Sequence, residues 1–156
     1  MKKQFLYVFL LFAFISCQED VKFNNPSFQG QKDNVFWRAV DSKAILAQDG
    51  SLSIEGLTRN EKLTLKTTST NKGNYFLGTY ALNEATYVLT DASGTITFYA
   101  GLTTGEGQIV ITEYDDVNKT VSGTFKFNAE NMGNNPLAGP ILNFQYGVFY
   151  KVPVGL

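Results

Sequence analysis

From Asn34 to the C-terminus, apolar and polar residues alternate with a period of two, and turn-forming clusters punctuate the alternation. That period puts successive side chains on opposite faces of a strand, one buried and one wet. Leu52 and Ile54 alternate with Ser51, Ser53 and Glu55, and Leu63 and Leu65 with Lys62, Thr64 and Lys66. Ile96 and Phe98 alternate with Thr95, Thr97 and Tyr99. The clearest run sets Val121, Gly123, Phe125, Phe127 and Ala129 against Ser122, Thr124, Lys126 and Asn128. The final run sets Leu142, Phe144, Tyr146, Val148, Tyr150 and Val152 against Asn143, Gln145, Gly147, Phe149 and Lys151. Turn signals at Gln48-Asp49-Gly50, Arg59-Asn60-Glu61, Asp91-Ala92-Ser93-Gly94 and Asp115-Asp116-Val117-Asn118-Lys119 recur at the spacing of about 8–12 residues typical of all-β domains.

The pattern predicts eight or nine strands: 35–47 (with a break near Asp41-Ser42), 51–57, 62–68, 74–80, 86–91, 94–100, 107–115, 119–128 and 141–152. No long window carries a helical stripe; short helical turns fit only near 69–74 or 81–85. Mostly short connections imply sequential antiparallel neighbours, and the lack of crossover helices excludes an all-parallel sheet. The expected fold class is all-β: an antiparallel meandering β-sandwich or flattened β-barrel. No internal repeat is visible.

Composition removes whole classes of chemistry. The 156 residues contain no histidine and one cysteine. Imidazole-dependent triads and His-ligated metal or haem sites are therefore excluded, as is a disulfide framework within one chain. A formal net charge of −1 supplies no basic field for a polyphosphate backbone, so no nucleic-acid partner is expected. No cofactor is expected either: Walker A, G-x-S-x-G and dinucleotide fingerprints are missing, and Gly105-Glu106-Gly107 lacks the third glycine and a following helix.

Residues 1–16 read as a bacterial signal peptide, with Lys2 and Lys3 as the positive region and Phe5 to Ile15 as an uncharged apolar region of 11 residues. That stretch is shorter than the roughly 20 helical residues needed to cross a bilayer. Phe14-Ile15-Ser16-Cys17 resembles the lipobox of bacterial lipoproteins, with Phe14 where that family usually has leucine. The resemblance implies that the Cys17 thiol takes a diacylglycerol, that the leader is removed and that the new amine is acylated. The partner of the mature N-terminus would then be membrane lipid, held through acylated Cys17, and no free thiol would remain. Without the leader, 140 residues remain, with Lys+Arg 11 against Asp+Glu 14. Residues 17–33 are polar and aperiodic and read as a lipidated tether, with Phe23 or Phe28 able to dock on the single all-β domain, 34–156. Gln18-Glu19-Asp20 resembles the short acidic run that sends lipoproteins of Bacteroidota to the outer face of the outer membrane.

Val21-Lys22-Phe23-Asn24-Asn25-Pro26, Gly107 to Asp115, Val121 to Phe127 and Gly147-Val148-Phe149 together resemble an uncharacterised family of small flavobacterial lipoproteins of the Bacteroidota. These are turn and core features. What the resemblance implies is an all-β lipoprotein domain in a Gram-negative envelope, with no activity to carry over.

Without histidine, acid–base chemistry is open only to carboxylates, Lys and Tyr. Glu113 and Asp115 would share a strand face about 6.5–7 Å apart, near the separation of glycosidase carboxyl pairs. Asp115 to Lys119 is also what a hairpin turn requires, since Asx side chains bond their own backbone. The same oxygens could hold calcium, but the EF-hand spacing is missing. Trp37 is either core or part of a binding platform with exposed tyrosines. The segment Glu130 to Pro140, bearing Met132 and Leu137, is either a binding loop or a tolerated insertion. No catalytic residue is assigned. Two functional readings follow: a membrane-anchored, non-enzymatic envelope domain that binds an unidentified protein or glycan or fills a structural role, or a small hydrophobic-ligand carrier or carboxylate-based enzyme working in a barrel cavity.

Overall fold

The computed structural model describes residues 26–78, 80–133 and 135–155; the predicted leader, Cys17 and the first part of the tether lie outside the described residues. Alternation is carried directly into burial. In β4 (Leu52–Leu57) and β5 (Glu61–Thr67), Leu52, Ile54, Leu63 and Leu65 are buried and their polar neighbours face outward. The remaining strands are β1 (Ser27–Lys32), β2 (Val35–Arg38), β3 (Asp41–Leu46), β6 (Gly73–Leu77), β7 (Glu84–Asp91), β8 (Gly94–Ala100), β9 (Glu106–Asp115), β10 (Thr120–Met132) and β11 (Ile141–Gly155). Among the described residues there is no helix, and neither expected helical turn forms.

The eleven strands form one continuous sheet folded into two layers. One layer runs β6-β9-β10-β11-β1-β2 and the other β3-β4-β5-β7-β8. Two long strands join them. The end of β10 pairs with β8 from Glu130↔Tyr99 to Met132↔Thr97, and the end of β11 runs parallel to β3 at Val154↔Ala44 and Gly155↔Ile45. At 13 and 15 residues, β10 and β11 are far longer than an ordinary strand of about 5–6, so each can serve both layers. The result is a flattened all-β barrel. It is not a plain meander: β6 leaves its sequence neighbours and pairs with β9 at the far edge, so β5 pairs directly with β7.

Two expectations are corrected. Ser27–Lys32, inside the stretch read as tether, is strand β1, paired with β11 and β2. Its period is broken by Gly30 and masked by glutamines, but Phe28 is only 1% exposed and packs on Phe125, ring centroids 5.3 Å apart. The faces of the last strand also differ from strict alternation. Tyr146 and Lys151 take left-handed φ values of 51° and 48°. At each, one extra β11 residue is inserted against β10, between Phe127↔Phe144 and Phe125↔Gly147 and again between Gly123↔Phe149 and Val121↔Val152. Each bulge flips the alternation downstream. Leu142, Phe144, Gly147, Phe149 and Val152 therefore point inward, whereas Tyr146, Val148 and Tyr150 are exposed. Gly147 is required at the first bulge: a Cβ there would lie 2.5 Å from atoms of the Phe125 ring.

The space between the layers is filled by rings. Trp37 meets Phe28 and Phe144 edge-on at 5.8 and 5.6 Å, and Tyr87 of the opposite layer lies 5.9 Å from Phe144. Phe125 and Phe127 are buried and Lys126 between them is exposed, as the pattern predicts. Phe127→Ala should therefore cost about 3–5 kcal/mol and Lys126→Ala less than about 0.5 kcal/mol in urea titrations of the full chain. Equal effects would contradict this register.

Candidate functional site

The residues singled out from sequence scatter over the molecule. Beyond a bulge at Thr112, Glu113 and Asp115 lie in unbroken register opposite Ser122 and Thr120 at the end of β9, but their surroundings differ. Glu113 is exposed. Asp115 turns both oxygens into the hairpin: Oδ1 accepts from the backbone of Val117 (3.0 Å) and Asn118 (2.8 Å), and Oδ2 accepts from Asn118 Nδ2 (2.6 Å). Those Asn118 bonds hold the Asp115 carboxyl below its usual range. Asp116 accepts from Lys119 at 2.5 Å. The cluster is turn chemistry. Among the described residues, no group of three or more acidic or sulfur ligands is placed to hold a metal. The 130–140 segment is partly strand, and its loop is organised by Asn131. Its Nδ2 donates to the carbonyls of Asn135 (3.0 Å) and Gly139 (3.1 Å), and Met132 and Leu137 are left exposed. Cys17 lies outside the described residues.

Trp37 is core, and its indole N–H leads to a polar cluster that sequence reasoning missed. Nε1 donates to Glu61 Oε2 at 2.6 Å. Glu61 Oε1 accepts from both the Lys32 ammonium and the Tyr87 hydroxyl. Lys32 also donates to the Tyr87 hydroxyl at 2.7 Å and lies over its ring at 4.9 Å. Thr58 closes the group, donating to Glu61 Oε2 at 3.2 Å and accepting from the Glu61 backbone at 3.0 Å. Burial pushes the Glu61 carboxyl up, but the bonds from Lys32, Tyr87 and Trp37 outweigh it, and the group is held below its usual range. Burial first, and the Glu61 bond second, raise the Tyr87 hydroxyl well above the ordinary phenol range. The two layers are thus pinned by a charged knot with β1 and β2 on one side and β5 and β7 on the other. Its members are all occupied with one another, which is the arrangement of a structural clasp. Lys32 escaped notice because it sat in an apparent linker, and Glu61 because it sat in a turn signal.

The unoccupied polar groups lie elsewhere. On the outer face of the layer, an open groove follows β10 between β9 and β11. One end, of about 460 Å³, is bordered by Thr124, Tyr146 and Val148. The middle is formed by Gln108, Lys126 and Gln145, and the far end by Glu106, Asn128, Glu130 and Ile141. Asn128 is locked, since Asn143 Nδ2 donates to its Oδ1 at 2.6 Å and its Nδ2 donates to Glu106 at 2.9 Å. Gln108, Lys126 and Gln145 have no side-chain partner among the described residues. The backbone groups beneath are used in the β9–β10 and β10–β11 ladders. The sequence signal for this site was the polar half of each strand, which marks a wet face without saying that two wet faces border a groove.

Comparison with known proteins gives one relationship. No curated protein and no solved structure matches the chain. A family defined only as a domain of unknown function, DUF6252, matches residues 24–153, which takes in every described strand but the last two residues of β11. The match begins ahead of β1, in keeping with Ser27–Lys32 being part of the domain. With most of its length covered, the chain belongs to the DUF6252 family.

Proposed function

We propose that this is a lipid-anchored envelope lipoprotein of the Bacteroidota whose β-domain is a non-enzymatic binding module, working through the groove along β10. The carrying observation is the contrast between inside and outside. The space between the layers is packed with aromatic rings, while the outer groove is lined by two glutamine amides and a lysine that have no side-chain partner among the described residues. A carrier of small hydrophobic ligands needs apolar space within the barrel. That is where Phe28, Trp37, Tyr87, Phe125 and Phe144 stand.

Anchoring rests on Cys17 and the apolar leader before it. Acyl chains bind by hydrophobic transfer, about 0.8 kcal/mol per CH₂, so the protein should stay with membranes through a high-salt wash that strips electrostatic binders. Cys17→Ser should leave it soluble or unprocessed. Wild-type protein released by salt alone would end the lipoprotein reading. Surface display is a separate question, answered by adding protease to intact cells. Complete protection of the wild type, unchanged when Glu19 and Asp20 are replaced by alanine, would place the domain on the periplasmic side.

A further inference from the structure

We infer that the end of the barrel where the chain enters β1 is a lipid-contacting surface, seated on zwitterionic headgroups through Val117 and Val40; this rests on the lipid-anchor reading above. Strand direction places the parts. β1 and β10 both run antiparallel to β11, so the chain enters β1 at the same end of the sheet at which β9 turns into β10. β2 finishes there too, since the Ala39 backbone N–H donates to the Phe28 carbonyl at the start of β1. Three segments therefore meet at one end: Pro26, residues 39–40 between β2 and β3, and the 116–119 turn. Contacts make that end continuous. Val154 donates to the Lys119 carbonyl at 2.8 Å, Pro153 pairs with Thr120, and Pro153, Pro26 and Val40 border one open hollow.

This end exposes side chains that neither folding nor water calls for. Val117 is 90% exposed and Val40 83%, the two most exposed aliphatic side chains among the described residues. Val117 sits in a hairpin turn, where polar residues are the rule. The turn itself is held by Asp115, which accepts from the backbone of Val117 and Asn118 and so makes no demand on the side chain at 117. Val40 is held through its backbone N–H, which donates to the Leu57 carbonyl at 2.8 Å. Tyr150, opposite Ser27, adds a partly exposed ring with the Lys151 ammonium 5.4 Å from its centroid. Amphipathic side chains of these two kinds suit the level of lipid headgroups.

Where the chain leads selects the occupant. Pro26 is nine residues from Cys17, a span of at most about 30 Å, so an acylated Cys17 keeps this end beside the bilayer that holds it. A contact made on such a leash is effectively intramolecular and needs far less surface than free association. Charge then narrows the kind of surface. Asp41, Glu113, Asp115 and Asp116 outnumber Lys119 and Lys151 here, so the end lacks the basic cluster that anionic lipids attract. A zwitterionic surface has no net charge to oppose these carboxylates, and leaves Val40 and Val117 to enter its apolar margin.

Acylation of Cys17 blocks the one native thiol, so an added cysteine is the only site open to a thiol-reactive fluorophore. The full lipidated chain, reconstituted into phosphatidylcholine vesicles, is labelled with the polarity-sensitive fluorophore NBD at Val117→Cys, at Val40→Cys or at Leu137→Cys. Leu137 is the control: it is 69% exposed and lies in the β10–β11 loop at the opposite end of the sheet. The label at 117 and at 40 should emit further to the blue than at 137 and be quenched by nitroxide-bearing lipids, at low and high salt alike. Val117→Asp should shift the emission of the label at 40 back toward that at 137. Replacing part of the phosphatidylcholine by anionic phosphatidylglycerol should weaken both signals at low salt. Emission at 117 that matches 137, equal quenching at all three sites, or a signal that appears only with anionic lipid would overturn the inference. The unsubstituted chain separates contact from anchor. If it takes up the label or is not retained by the vesicles, the lipoprotein reading falls and this one with it. If it takes up none and is retained while the label at 117 stays wet, the anchor stands and the contact surface alone is rejected.

Discussion

Phe144→Ala is expected to cost about 4–5 kcal/mol, the upper part of the range for a large aromatic removed from a core. Phe144 is 0% exposed and stands where both layers and both long strands meet. Its ring centroid lies 5.1 Å from that of Phe127, 5.6 Å from Trp37, 5.9 Å from Phe125 and 5.9 Å from Tyr87. The loss therefore includes transfer of a buried ring, several ring–ring contacts worth about 0.5–1.5 kcal/mol each, and a cavity that the rigid strands around it cannot close. Against a typical stability of about 5–15 kcal/mol, one substitution removes much of what holds the domain. The matched control is Phe76→Ala on edge strand β6, whose ring is mostly exposed and should count for less than about 0.5 kcal/mol. In urea, the Phe144 variant should show a lower midpoint with the same slope. A loss no greater than that of Phe76→Ala would mean the layers do not pack through this ring.

The all-β class was legible because alternation is a local property. Each strand that buries one face writes that face into its own sequence, and Val121 to Ala129 does so except at Ser122, a polar-face residue that is only 6% exposed beside the bulges. The two places where reading failed are both places where the deciding fact is non-local. Strict alternation cannot locate a bulge, because Gln145-Tyr146-Gly147 has the composition of an ordinary strand. Only the clash between a Gly147 side chain and the Phe125 ring across the sheet demands glycine there. Likewise, β1 has a weak pattern of its own and is a strand because β11 and β2 flank it. The pairing of β6 with β9 and the parallel contact of β11 with β3 are also choices among partners far apart in sequence. The groove follows the same logic. Its polar residues were readable as wet faces, but their convergence depends on the bulge that turns Gln145 and Tyr146 outward together.

The knot around Glu61 should dominate the acid behaviour of the fold. Replacing Glu61 by glutamine leaves the Lys32 ammonium half-buried without a counter-charge and takes the charge from the bonds of Tyr87 and Trp37. Removing one partner of such a pair costs about 3–5 kcal/mol when it is fully buried, and with the Glu61 side chain 16% exposed the expected loss is about 3 kcal/mol. The carboxyl is held below its ordinary value of 4.5, so the folded state binds its proton less readily than the unfolded chain does. Its contribution is therefore complete above that ordinary value and disappears as pH falls through the lower, folded one. Wild type and Glu61→Gln should differ by a constant amount from neutral pH down to about pH 5, then converge in acid. Tyr87 stays neutral throughout this window, because its hydroxyl is held far above it. A double change then separates charge from packing. Lys32→Met combined with Glu61→Leu removes both charges together, and should be less destabilising than Glu61→Leu alone. If the single and double variants are equally unstable, the ion pair is not what joins β1 to β5. If the stability difference is unchanged below pH 4, Glu61 does not act through its charge.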